Sequence, residues 1–208
     1  MEAFDQTCTL CPRLTTYLTK IKHKYPHYHC LPVASVGAAR PRLFIVGLAP
    51  GLHGANASGR PFTGDASGVL LYETLHKYGY SNKPQSVSLD DGLKLKGCRI
   101  TNAVKCLPPE NKPTTEEIKT CNVYLEAELN ALKSGTVVLA LGAVAHEAVL
   151  RALALKKRDY AFGHEHIHRL PNGLWLVDSY HCSRYNIQTK RLTTKMFHGV
   201  FETIENLE

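Results

Sequence analysis

Four cysteines in two pairs are the residues of this chain whose types and spacing best suit inorganic chemistry: Cys8-Thr-Leu-Cys11 near the start, then Cys106 and Cys121 much further on. A thiolate pair two residues apart can grip one inorganic centre, and a distant second pair can complete four ligands. Cys106 and Cys121 are spaced far more widely than the compact pairs of a zinc ribbon. Pro12 directly follows Cys11, a step common where a thiolate meets an iron–sulfur cluster. The pattern favours a [4Fe–4S] cluster over structural zinc. Buried free thiols acting as small hydrophobes are the bland alternative, and Cys30, Cys98 and Cys182, without partners at ligand spacing, are assigned to it. A zinc-dependent phosphate-ester enzyme is disfavoured, because four thiolates fill a tetrahedral shell and leave no open catalytic position.

The elements that must position these thiolates alternate along the chain. Residues 42–49 form a short apolar run ending at Pro50-Gly51, read as a strand buried on both faces. Residues 67–78 carry apolar side chains at helical spacing, and Gly79 stops them. A second strand is expected over 98–104 and a helix over 115–132, where Thr114 and Glu117 have the spacing of a capping box. A third strand over 136–141, a helix over 143–154, a fourth strand over 174–179 and a closing helix over 191–206 complete the series. Strand and helix in strict alternation predict an α/β fold: a three-layer helix–sheet–helix sandwich on a central four-stranded parallel sheet with right-handed crossovers. One domain over 1–208 is expected, with residues 1–40 as an amino-terminal extension that brings Cys8 and Cys11 to the core.

In such a sheet, ligands bind beyond the carboxyl ends of the strands. Three polar segments fall there: Gly47-Leu-Ala-Pro-Gly-Leu-His-Gly54 with Gly59-Arg-Pro-Phe-Thr-Gly-Asp65, then Thr101-Asn102 leading to Cys106, then His181-Cys-Ser-Arg-Tyr-Asn186. Neither glycine-rich phosphate-binding pattern is present, which disfavours a dinucleotide or P-loop nucleotide site.

These segments, GLAPGLHGANASGRPFTGD, TNAVKCLPP and HCSRYN, together with the four cysteines, resemble the iron–sulfur branches of the uracil-DNA glycosylase superfamily over nearly the whole chain. The uracil-dedicated branch carries an acid in Gly-Glu-Ala-Pro-Gly. Here Leu48 occupies that slot with Ala49 beside it, which is more similar to the branch called family 5, with a wider range of deaminated bases. The last motif usually runs His-Pro-Ser; Cys182 replaces the proline and puts that loop's rigidity in question.

The resemblance implies a repair glycosylase that excises uracil, and hypoxanthine besides, from damaged double- or single-stranded DNA. A base must leave the stack before its glycosidic bond is reached, and the bond breaks through an oxocarbenium-like sugar and a departing base anion. His181 is the candidate donor to that anion, Phe62 the stacking platform, and Asn102 the side-chain amide on base or sugar. Asp65 is the candidate water activator and His53 a second one. Gly47, Ala49 and Gly51 line the base site. Gly51, Gly54 and Ser183 would meet phosphates, Arg184-Tyr185 form the wedge, and Arg60, Lys190 and Arg191 are candidate phosphate contacts. The cluster is expected to be structural. The same residues allow a second reading, a non-catalytic iron–sulfur protein that senses DNA damage. It draws on the missing acid at Leu48, while His181 and Phe62 speak for catalysis.

Composition bounds these readings. The chain has 208 residues, long enough for one well-buried domain. Its net charge of +7 is compatible with a polyanionic partner. The opening residues carry acids without the apolar stretch of a secretory signal, and no run reaches the about 18 apolar residues of a membrane span. Seven cysteines are an odd number, which argues for a reducing cytoplasm over a disulfide scaffold. A cytoplasmic, nucleoid-associated monomer is expected.

Overall fold

The computed structural model describes residues 4–207; residues 1–3, the first of the expected extension, and residue 208 lie outside the described residues. The four apolar runs become β2 (Leu43–Gly47), β3 (Cys98–Asn102), β4 (Val137–Leu141) and β6 (Trp175–Ser179). These four strands are parallel to one another. Two short strands that the sequence reading did not contain, β1 (Val36–Gly37) and β5 (Ile167–Arg169), pair antiparallel at the two edges. The sheet therefore has six strands in the order β1-β3-β2-β4-β6-β5 around the expected parallel four. Runs of two and three residues, part exposed, carry no hydrophobic period from which a strand could be read.

Alternation along each buried strand sends side chains to both faces. Leu43 and Ile45 join one apolar cluster with Leu71, Leu75, Phe197 and Phe201. Those residues lie on α3 (Ala66–Lys77) and α7 (Thr194–Glu205). Phe44 and Val46 face the opposite cluster with Leu125, Leu129, Val149 and Leu150, from α4 (Thr115–Asn130) and α5 (Ala143–Ala152). The result is the three-layer sandwich. Thr114 and Glu117 form the expected capping box at the start of α4.

Three helices were not foreseen: α1 (Pro12–Lys24), α2 (Ala55–Ser58) and α6 (Arg184–Gln188). Helix α1 starts immediately after Cys11, with Pro12 in its first turn where a missing N–H costs nothing. It buries Leu14 beside Val104 and Tyr124, and Leu18 and Ile21 beside Leu107. Among the described residues no helix is long and apolar enough to cross a membrane.

Candidate active site and thiolate centre

The carboxyl ends of β2, β3 and β6 open onto a cavity of about 540 Å³. Its lining includes Leu48, Ala49, Gly51, His53, Phe62, Asp65, Asn102, His181 and Ser183, drawn from all three polar segments. Two of the expected site residues do not line it. Gly47 lies beneath the floor, and Arg184 is exposed on α6 outside the cavity.

Gly47 pairs with Asn102 across the β2–β3 ladder. A Cβ at Gly47 would fall 2.4 Å from Oδ1 of Asn102 and 2.6 Å from Cζ of Phe62. The absent side chain is thus what lets an amide and an aromatic ring share the floor. Asn102 is only 3% exposed, and its amide has no hydrogen-bond partner among the described residues, so it is free for a ligand. Phe62 is held at φ 57°, a left-handed conformation that is costly for an aromatic residue. Its ring faces that of His181 at 6.0 Å between centroids and 29° between planes.

His181 follows the end of β6. Burial alone lowers its pKa to about 4, so the ring is neutral near pH 7 and carries one N–H donor. Its loop is held by local contacts although Cys182 stands in place of proline. The Asn186 amide donates to the His181 carbonyl at 2.8 Å, Ser183 caps α6 by accepting from the Asn186 amide N–H, and the Cys182 side chain is fully buried in the apolar core. A packed thiol and an asparagine clamp do here what the ring of a proline does elsewhere.

Asp65 caps α3 through Oδ1, which accepts from the Gly68 N–H at 2.9 Å, and also lines the cavity. Its other oxygen fills space left by two glycines: a Cβ at Gly54 would come within 2.5 Å of Oδ2, and one at Gly51 within 3.5 Å. Burial raises the Asp65 pKa, against the lowering effect of the backbone N–H groups at the helix start. The capping and active-site readings of this residue are therefore compatible.

Arg60 corrects the sequence reading. It is buried and not a surface cation: Nη1 lies 2.9 Å from Asp91 and 3.0 Å from the Ser86 hydroxyl, and Nη2 donates to the Leu89 carbonyl. It organises the segment after α3, and its guanidinium is unavailable to a phosphate. The Gly54 N–H is likewise spent, on the Gly51 carbonyl. Arg191 lies 4.7 Å over the Tyr180 ring, and Tyr185 is 69% exposed.

Sequence reasoning missed Tyr28, whose hydroxyl lies 2.8 Å from Nδ1 of His53, and Asn111, which lines the cavity at φ 56°. The Pro108-Pro109 pair ahead of Asn111 was a turn signal, and asparagine tolerates that conformation. Tyr28 had no such signal.

Cys8, Cys11, Cys106 and Cys121 line one small cleft beside the cavity, all as free thiols. The Lys105 N–H points to the Cys121 sulfur at 3.3 Å. Burial pushes the Cys106 thiol up to about 12 and Cys121 to about 11, so unligated they are neutral thiols. Among the described residues no group of three or more His, Cys, Asp or Glu is placed to hold a metal ion. The remaining thiols behave as core: Cys98 and Cys182 are fully buried, and Cys30 accepts a long hydrogen bond from Asn56.

Fold and site together define an α/β protein with a glycine-floored pocket at the carboxyl rim of its sheet and a cleft lined by four cysteines beside it. Comparison with known proteins narrows this. Residues 34–205 match the family described as the uracil DNA glycosylase superfamily. The chain is 46% identical to a type-5 uracil-DNA glycosylase of Thermus thermophilus, over 99% of this chain and 97% of the relative. It is 40% identical to one of Mycobacterium bovis, over 100% and 80%. A type-4 uracil-DNA glycosylase of Archaeoglobus fulgidus matches at 34% over 60% and 55%. The chain belongs to the uracil DNA glycosylase superfamily.

Proposed function

We propose that this protein is a DNA repair hydrolase that flips a deaminated base out of DNA and cuts its N-glycosidic bond, acting on uracil and on hypoxanthine. The observation that carries the reading is the convergence of a neutral, desolvated His181 with Phe62 and an unspent Asn102 amide on one cavity. A damage sensor needs the platform and the wedge but has no use for a donor kept neutral by burial.

The flipped base stacks on Phe62, and Asn102 reads its edge or sugar. As the bond to the sugar breaks, negative charge collects on the base, and the N–H of His181 meets it. One preorganised donor of this kind supplies about 2.7–4 kcal/mol. Being neutral at the start, His181 binds no anion that would compete with substrate, and its bond strengthens as charge develops. Asp65 orients water toward the oxocarbenium face. The upward shift in its pKa makes it a somewhat better base than an exposed carboxylate. The exposed Tyr185 with Arg184 fills the gap left in the stack, and Lys190 and Arg191 lie close behind for the phosphates.

The four thiols suit an iron–sulfur cluster better than a single ion. The donor set is sulfur only, and the four side chains line one cleft. A bound [4Fe–4S] group would tie the loop before α1, the exit of β3 and α4 together, which makes ligation energy folding energy; hydrolysis needs no electron from it. The chain then works as a single domain, its segment from Cys8 to about residue 40 docked through that centre, as a monomer on DNA in the cytoplasm.

Base breadth follows from Leu48. An apolar wall discriminates by only about 1–3 kcal/mol per missing group, whereas hydrogen-bond readout rejects far more strongly. Assay of a panel of duplex and single-stranded lesions tests this: release of uracil and hypoxanthine is expected, and Leu48→Glu should narrow the range toward uracil. A protein that releases uracil alone at high enzyme concentration would refute the breadth.

A further inference from the structure

We infer that Tyr28 fixes the proton of His53 on Nε2, which makes His53 a hydrogen-bond donor to the substrate strand and removes it as a base for water. The inference rests on the glycosylase reading for its strand and on the structure for its chemistry.

His53 is exposed at the mouth of the cavity it lines. The Tyr28 hydroxyl lies 2.8 Å from its Nδ1. A neutral imidazole has one bare nitrogen and one N–H. A phenol is a far stronger acid than an imidazole N–H and a poorer acceptor than an imidazole nitrogen. With no other acceptor for the Tyr28 hydroxyl among the described residues, the bond runs from Tyr28 to Nδ1. The proton of His53 then sits on Nε2, the edge turned away from Tyr28.

The lock is held from outside the motif. Tyr25 and Tyr28 stack at 4.7 Å and 11°, and both meet the His53 ring edge-on, at 88° and 89°. Tyr25 is the carboxyl cap of α1, its N–H bonded to the Ile21 carbonyl at 2.8 Å, and Tyr28 follows in a turn that bonds back to the Tyr25 carbonyl. Both tyrosines pack on Leu18, Ile21 and Leu107 with Leu52, the residue before His53. The segment that carries the first two cysteines therefore also reaches the pocket.

A His53 whose Nδ1 is occupied and whose Nε2 carries hydrogen has no lone pair left for a proton from water. What it can do is donate, and the acceptors a DNA strand brings to the cavity mouth are sugar and phosphate oxygens. Water activation is then left to Asp65.

Nitrogen-15 spectra of histidine-labelled full-length protein near neutral pH test the tautomer, with the His53 signals assigned by their loss in His53→Gln. A bare Nδ1 and protonated Nε2 are expected in the wild type, giving way to a mixture in Tyr28→Phe. A wild type protonated on Nδ1 overturns the inference. The probe for the donor role is a duplex carrying a tetrahydrofuran abasic analogue. Affinity should fall about 3- to 10-fold in His53→Leu, and Tyr28→Phe should add little in that background. On uracil duplex the His53→Leu loss should be carried mainly by KM. A roughly 10²-fold drop in single-turnover rate with affinity intact would make His53 the base and overturn the inference. A wild type that binds the probe but releases no base sinks the glycosylase reading alone, since the spectra and the binding cycle still decide this one. If Tyr28→Phe does not fold, the wild-type spectrum and the exposed His53 position suffice.

Discussion

The pocket and the thiolate cleft hang from the same exit of β3, with Asn102 in one and Cys106 in the other, yet they are built on opposite plans. The pocket leaves groups unspent: among the described residues the Asn102 amide and the His181 ring nitrogens have no hydrogen-bond partner, and Phe62 and Asn111 sit at positive φ. Around the cleft almost every polar group is matched. Arg13 pairs with both oxygens of Glu117 at 2.7 Å while Glu117 closes the α4 capping box. The buried Lys105 ammonium meets Thr101 and Glu128. Unspent polar groups of this kind are what a binding pocket offers, whereas matched pairs such as Arg13 with Glu117 fix segments to one another.

This contrast breaks first at the cysteines. Cys106→Ala or Cys121→Ala should abolish recovery of folded protein, while Cys30→Ala should leave yield and melting nearly unchanged, as thermal melts and iron analysis would report. About four irons per chain are expected on anaerobic purification; colourless, iron-free protein that melts like the wild type after loss of Cys106 would show the cleft to be ordinary core. In the pocket the loss should be kinetic instead. His181→Ala should slow single-turnover cleavage by roughly 10²–10³ with DNA affinity retained, and a collapse of binding with cleavage intact would make it a phosphate contact.

Asp65→Asn sharpens the comparison, because asparagine caps a helix as well as aspartate. Melting should hold while cleavage falls by about 10². The wild-type acid limb should lie above that of an exposed aspartate, since burial raises the Asp65 pKa and its base form exists only above that value. His181, with its pKa lowered to about 4 against 6.5 unfolded, adds no limb near neutrality. Its sign for stability is the opposite of that of a histidine whose pKa an ion pair raises. Between those values the unfolded chain binds more protons, so stability is lost as pH falls from 6.5 toward 4; burial lowers the pKa of His29 and His164 as well, so a His181→Gln variant should show a shallower slope in urea melts. The smallest effect on DNA belongs to Arg60. Arg60→Leu leaves Asp91 buried with only the longer contact to Lys83, at 3.7 Å, and should lower stability, yet hardly alter affinity for DNA in protein that stays folded. A large change in the salt dependence of binding would return it to the phosphate surface.

The sequence by itself determined the four parallel strands and the helices between them, because buried strands and amphipathic helices write their periods into the chain. It also marked the cysteine pairs and the three polar rims, since side-chain types and strand-end positions are local facts. Only the tertiary structure decided the rest. Arg60 became a buried ion pair because Asp91 folds back over it. Asp65 proved able to cap and to face the cavity together, because Gly51 and Gly54 leave room for its second oxygen. The contacts that hold the His181 loop are the Asn186 clamp and the packing of Cys182. Tyr28 reaches His53 only because α1, anchored beside Cys11, ends against the pocket. Each of these is a contact between segments far apart in the chain or a matter of packing space, and neither leaves a period or motif to be read.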